Sequence, residues 1–134
     1  AKHLSDWHTA LPAQWALAKF IGEGELLRHI RRCHQAYAQR RALLLEQFAG
    51  PLAPWFETVP IQAGFHMAAL ARRPLDMAAL LSLARRVEVG LYPLDPFYRE
   101  GAARQGLMLG FGAIEALDIA PSLARVRELL MQLD

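Results

Sequence analysis

The sequence predicts an α+β fold, a small and mainly antiparallel sheet packed against helices. Three observations predict it. Apolar residues recur every three or four positions across Glu25–Ala49 and again across Asp118–Leu133, the period of a helix with one buried face. Gly64–Ala71 and Leu107–Phe111 are apolar runs punctuated by glycine, of strand length rather than helix length. A helical stretch interrupts the strands, so the order reads ααβαββα, with helices layered on one face of a sheet.

Trp7–Ile21 reads as the first helix. Thr9 is placed to cap it, Pro12 suits its first turn, and Leu11, Trp15, Ala18 and either Phe20 or Ile21 fall at helical spacing before Gly22 and Gly24 end it. Glu25–Ala49 follows as a long helix whose stripe is Leu26, Ile30, Cys33, Tyr37, Leu44 and Phe48, interrupted by Arg40 and Arg41. Glu23 and Glu25 suit its positive end, and Gly50-Pro51 stops it. About 25 residues of helix span roughly 37 Å, long for a domain of this size. Trp55, Phe56 and Val59 form a short extended segment among prolines, and Gly64–Ala71 is a strand. Pro74 and Asp76 open a helix to about Arg86 with Leu75, Ala79, Leu80, Leu83 and Ala84 inward. Val87–Tyr92 reads as a strand containing Gly90, Pro93–Arg104 as a loop, and Leu107–Phe111 as a wholly apolar strand. The last helix, Asp118–Leu133, puts Ile119, Leu123, Val126, Leu130 and Leu133 on one face and Pro121 in its first turn.

Composition narrows the class. The chain has 134 residues, one domain by length, 54% of them apolar, with a net charge of only +2. With glycine counted in place of tyrosine, its apolar share stands further above the ~45–50% of average soluble domains. That excludes disorder, and the single Cys33 excludes a disulfide scaffold and fits a reducing compartment. The longest stretch without a charged side chain, Thr58–Ala71, is too short to span a membrane and holds Pro60, Gln62 and His66. No signal peptide opens the chain, which begins Ala1-Lys2-His3 without Met, as a processed terminus or a piece of a longer protein would. The apolar surplus reads either as a rich core or as an interface to something missing.

Few motifs carry chemistry. Arg28, Arg31, Arg32, Arg40 and Arg41 make the long helix basic, but Glu23, Glu25 and Glu46 flank it, so the reading is a solvated or partner-facing side rather than a phosphate-binding one. His29 and His34 are five apart and do not share a helix face. Neither HExxH nor a Cys-His zinc spacing occurs, so no metal site is expected. Cys33 reads as a buried small hydrophobe. There is no GxSxG, P-loop or GxGxxG, and no catalytic residue is assigned. His66, on a strand, reads as a packed residue or a base. The segment Tyr92–Tyr98 is the most site-like: Tyr92, Phe97 and Tyr98 bring aromatic faces to the end of a strand, stiffened by Pro93 and Pro96, to line a pocket or to anchor the loop.

Leu17-Ala18-Lys19-Phe20-Ile21-Gly22-Glu23-Gly24, then Arg28-His29-Ile30-Arg31-Arg32, Tyr37 and Arg40-Arg41, resembles a run found in MocR-type regulators. These are bacterial proteins of the GntR family that join a winged helix-turn-helix domain to a module shaped like a fold-type-I, pyridoxal-phosphate-dependent aminotransferase. Ala63-Gly64-Phe65-His66 resembles the family's small-domain strand, usually Ala-Gly-Leu-His. Val89-Gly90-Leu91-Tyr92-Pro93-Leu94 with Phe97-Tyr98 resembles the strand and loop that approach its active site, and Gly106–Phe111 its late strand. Cys33 and His34 depart from a usual Met and Arg, and the family's parts that do chemistry lie upstream of this chain. In many aminotransferases an arginine of the late strand clamps the substrate carboxylate, and that position falls near Met108 here. Arg104 is the substitute candidate for that clamp, or a surface arginine.

The resemblance implies that residues 1–134 are an aminotransferase-like C-terminal small domain, with residues 1–49 leading in from an absent large domain. The lysine, aspartate and phosphate-binding residues that hold pyridoxal phosphate (PLP) lie upstream in the family, and Lys2 and Lys19 match no such motif, so this chain alone is expected to bind no PLP and no specific DNA. The full-length protein is expected to be a cytoplasmic homodimer without a membrane segment. It would bind DNA through the absent helix-turn-helix and close over PLP and an amino-acid-like effector, with His66, Tyr92, Phe97, Tyr98 and Arg104 facing that effector. The alternatives are the small domain of a genuine PLP-dependent aminotransferase and a free-standing interaction module. A severed domain also accounts for the apolar surplus, through a docking face on Trp7, Leu11, Trp15 and the stripe of the long helix.

Overall fold

A computed structural model describes residues 10–60, 64–99, 101 and 103–134. The chain forms two compact units, residues 1–36 and 37–134, and the boundary falls inside the long helix.

The first unit holds α1 (Leu11–Gly22) and the first half of α2 (Glu25–Ala49). Pro12 lies in the first turn of α1, as expected, whereas Trp7 and Thr9 lie outside the described residues. The turn between the helices puts Gly24 at φ +74°, where glycine avoids the clash a Cβ would bring. Arg28 closes the turn by donating to the Glu23 carbonyl at 3.1 Å while pairing with Glu25 at 2.7 Å. None of the described residues in this unit is buried, and Trp15 is 77% exposed. Cys33 is therefore not the core residue the apolar stripe suggested. It is half-exposed, with its Sγ 3.4 Å from His29 Nε2 one turn earlier, because no second apolar layer covers the stripe within this unit.

The second unit is a four-stranded antiparallel sheet with helices. Its strands are β1 (Phe56–Thr58), β2 (His66–Ala71), β3 (Tyr92–Pro93) and β4 (Gly106–Gly110), in the spatial order β1-β2-β4-β3. Its further helices are α3 (Met77–Arg86) and α4 (Ala116–Leu133). The side-chain alternation of strands sorts the sheet into two faces. Met67 pairs with Leu109 and Ala69 with Leu107, and all four are buried in one core with Phe56, Leu44 and Phe48 of α2, Leu80 and Ala84 of α3, and Ile119, Leu123, Val126 and Leu130 of α4. On the other face His66 opposes Gly110, Ala68 opposes Met108, and Tyr92 opposes Met108 from β3. Among the described strand residues of that face, Gly106 is buried, beneath Leu94, itself 5% exposed. A Cβ at 106 would collide with the Ala69 carbonyl oxygen and the Leu94 side chain, so this position requires glycine.

Side chains fix the connections. Asp76 caps α3 by accepting from the Ala79 N–H at 2.9 Å. Gln105 mimics a strand partner, accepting from the Leu75 N–H at 3.0 Å and donating to its carbonyl at 3.1 Å. Arg40 turns inward, 15% exposed, and donates to the Gly112 carbonyl at 2.7 Å, so the basic side of α2 is not uniformly solvated.

Two further expectations are corrected. Val87–Leu91 is not strand; only Tyr92–Pro93 pairs. The residues after α3 instead close that helix: Glu88 N–H donates to Arg85 O at 3.1 Å and Val89 N–H to Ala84 O at 2.8 Å, with Glu88 at φ +59°. That is a Schellman closure with glutamate at the usual glycine position, and Arg125 reinforces it by donating to the Val87 carbonyl at 2.8 Å. The last helix starts at Ala116, so Pro121 is inside it rather than in its first turn. Pro121 has no N–H for the Leu117 carbonyl, and Leu117 is 88% exposed, where water can serve that group instead.

Candidate functional site

The candidate site forms on the uncovered face of the sheet. His66 opens β2, just after Gly64, whose φ of +88° sets the turn into the strand. The Phe65 carbonyl accepts from the Phe111 N–H at 2.9 Å, which ties that turn to the end of β4. Tyr92 is carried by β3, and the Leu94 N–H donates to the Gly106 carbonyl at 3.0 Å to continue the pairing. A single 3₁₀ turn, Asp95–Phe97, closed by the Phe97 N–H on the Leu94 carbonyl at 3.0 Å, then returns Phe97 toward Tyr92.

These placements bring His66, Tyr92 and Phe97 together. With Met108 and Gly110 they line a concavity of about 510 Å³. Tyr92 and Phe97 are 66% and 60% exposed. Among the described residues, no Asp, Glu, Lys or Arg is part of these walls.

The His66 ring is backed by an aromatic series. Its centroid lies 4.8 Å from that of Phe65, and Phe65 lies 6.0 Å from Tyr37 on α2. The Arg40 guanidinium carbon is 6.0 Å from the centre of the Tyr37 ring. Phe65 also packs on Gly112, where a Cβ would approach its ring to 3.2 Å.

Two sequence candidates fall elsewhere. Tyr98 is not among the walls, although it adjoins Phe97 in sequence. Arg104 lines a separate concavity of about 390 Å³ with Met77, Pro93 and Asp95, and is bonded to Glu57 at 3.0 Å. It is thus engaged in an exposed ion pair rather than presented to the His66 cavity. Gly110 is a wall residue that the sequence does not mark, and Met108 stands out there only as the position near which the resemblance places the family's arginine. Their strand is apolar throughout, so no alternation distinguishes its outward residues; pairing with His66 and Tyr92 does.

Among the described residues, the cavity walls offer PLP no amine. The sequence has two lysines; Lys19 is exposed on α1 and pairs with Glu23 at 3.8 Å, and Lys2 lies outside the described residues. The described walls also provide no cation for a phosphate. The described residues therefore do not by themselves fit the cofactor. Among the described residues no group of three or more His, Cys, Asp or Glu could hold a metal ion, and no helix is long and apolar enough to cross a membrane.

Comparison with known proteins gives relatives in sequence and in fold. No protein-family model matches the chain. The HTH-type transcriptional regulator YhdI of Bacillus subtilis is 29% identical over 115 residues, 86% of this chain and 24% of its own length. The probable rhizopine catabolism regulatory protein MocR of Rhizobium meliloti is 28% identical over 127 residues, 95% of this chain and 26% of its own. The chain thus spans about a quarter of the length of these curated relatives. In structure it matches LysN, the α-aminoadipate aminotransferase of Thermus thermophilus solved with N-(5'-phosphopyridoxyl)-L-leucine, with a TM-score of 0.80 and 20% identity, over 98% of this chain and 34% of that one. The chain is similar to MocR-like transcriptional regulators in sequence and has the fold of part of an aminotransferase, as its own motifs imply.

Proposed function

We propose that this chain is the C-terminal part of the effector module of a MocR-type regulator, and that its open sheet face forms one wall of a pocket for PLP and an amino-acid-like effector. The observation that carries the reading is the convergence of His66, Tyr92 and Phe97, separated in sequence, on the face that the helices leave open. The relatives support the regulatory class and the aminotransferase fold supports the module.

In this reading the cofactor is held by the large domain of the same protein, and this chain contributes shape and water exclusion. An exposed wall of aromatic rings holds a matching ring only weakly while wet. Covered by a second domain it loses its water, and its contacts with a bound molecule gain strength. Closure then biases the DNA-binding domains of a homodimer, because an effector that fits the closed form better shifts the population toward it. The exposed Leu11, Trp15, Ile21, Leu27 and Ile30 of the first unit provide the apolar surface against which the rest of the protein docks. A second reading, the small domain of a PLP-dependent aminotransferase, is favoured by the fold match with LysN.

Full-length protein separates the two. A regulator binds its operator DNA with an affinity that changes at least threefold when effector is added, and the change is lost in Tyr92→Ala. Turnover of amino acid and keto acid at enzymatic rates, with no operator binding, selects the aminotransferase. PLP absorbance at one equivalent in the isolated 134-residue chain would overturn the assignment of the cofactor to the rest of the protein.

A further inference from the structure

We propose that the open sheet face receives an uncharged aromatic group of a small molecule, stacked against Tyr92 and Phe97 above Met108. The inference rests on the reading of this face as a ligand wall and names the chemistry that such a wall selects.

The volume of about 510 Å³ falls within the ~300–1,000 Å³ typical of small-molecule sites. The walls are two aromatic rings, a thioether, an imidazole and a glycine. Aromatic rings favour offset or edge-on contact with another ring, and the polarisable sulfur of methionine favours a ring edge. Gly110 keeps the imidazole accessible: a side chain there would begin 3.4 Å from His66 Cδ2. The His66 nitrogens and the Tyr92 hydroxyl supply directional polar contacts for a neutral substituent on the ring.

The same walls disfavour a carboxylate. It would lose hydration against rings and a methyl group and, among the described residues, meet no lysine or arginine in return. Arg104 does not repair this, because it lines the other concavity and is bonded to Glu57. Met108 stands at the centre of the face, opposite both Ala68 and Tyr92, where a longer cationic side chain would change the preference of the site.

The test uses the 134-residue chain, with methionine methyl groups and the His and Tyr rings labelled for NMR, titrated with benzamide and separately with succinate. Benzamide is expected to shift the Met108 methyl and the His66 and Tyr92 ring signals saturably, leaving the core Met67 methyl in place, while succinate at equal concentration shifts none. Met108→Arg is expected to weaken benzamide at least fivefold and to create a succinate response through the guanidinium. Should that variant not fold, Tyr92→Ser, at an exposed position, is expected to weaken benzamide at least threefold. Succinate shifts without benzamide shifts in the native chain would overturn the aromatic assignment and leave the face a ligand wall. Silence toward both probes would overturn the assignment and the ligand wall together, and so would a benzamide response unchanged in both variants.

Discussion

The two faces of the sheet differ in register, not in hydrophobicity. Met67, Ala69, Leu107 and Leu109 are buried on one face, while Ala68, Leu70 and Met108 sit half-exposed on the other with Tyr92 more exposed still. Both sets are apolar, so residue type alone does not separate core from cavity wall; strand alternation and pairing do. Leu107→Ala tests the inner half of this contrast. Leu107 is 1% exposed and sits in the core shared by the sheet and all three helices of the second unit. The substitution is expected to cost about 2–5 kcal/mol in chemical denaturation, from lost burial plus the cavity left behind. A cost below about 1 kcal/mol would mean that the inner face is not the core, and the contrast between the faces would fall with it.

Exposure and irrelevance are different things, and Asp76 separates them. It is exposed, yet its carboxylate accepts the Ala79 N–H at 2.9 Å at the start of α3, where the backbone donors have no helical partner. Asp76→Ala is expected to destabilise the chain by about 1 kcal/mol, while Asp76→Asn, which keeps the acceptor oxygen, costs little. Equal losses in the two variants would show that charge rather than capping holds this end. The comparison sharpens what a small effect on the open face means: Tyr92 and Phe97 are exposed and, among the described residues, their side chains bear no structural hydrogen bond.

The helices are readable in the sequence because their apolar period persists over several turns, in α2 even across Arg40 and Arg41. The bounds of α2 match its pattern, and Ile119, Leu123, Val126 and Leu130 are buried as their spacing implies, whereas Leu133, at the very end of its helix, is 37% exposed. Val87–Leu91 misleads because alternating Val87, Val89 and Leu91 look like a strand. What decides the segment is a left-handed Glu88 and a bond from Arg125, 38 residues away, neither of which leaves a local signature. The site divides the same way. His66, Tyr92 and Phe97 stand out by their types and by their neighbouring turn residues. Tyr98 groups with Phe97 only by adjacency, which a 3₁₀ turn does not respect, since successive residues leave it in different directions. Met108 and Gly110 need the register of two strand pairs. Arg40 looks like one of several solvated arginines in the sequence, and its role depends on carbonyls of Phe111 and Gly112 more than seventy positions away.

The smallest expected effect is the most informative about the outer face. Tyr92 is 66% exposed, belongs to a two-residue strand and faces the cavity beside Met108. If it were there to anchor its loop, replacing it with serine would release packing and lower stability. If it is a wall held ready for something else, the isolated chain gains little from its ring. Tyr92→Ser is therefore expected to change unfolding free energy by no more than about 0.5 kcal/mol, the ordinary range for surface positions. A loss above about 2 kcal/mol, comparable to that of Leu107→Ala, would make Tyr92 a loop anchor and remove the distinction between the two faces. Stability retained while benzamide binding weakens is the combination that anchoring does not produce, because a residue that holds the fold cannot lose its contacts without the fold registering it.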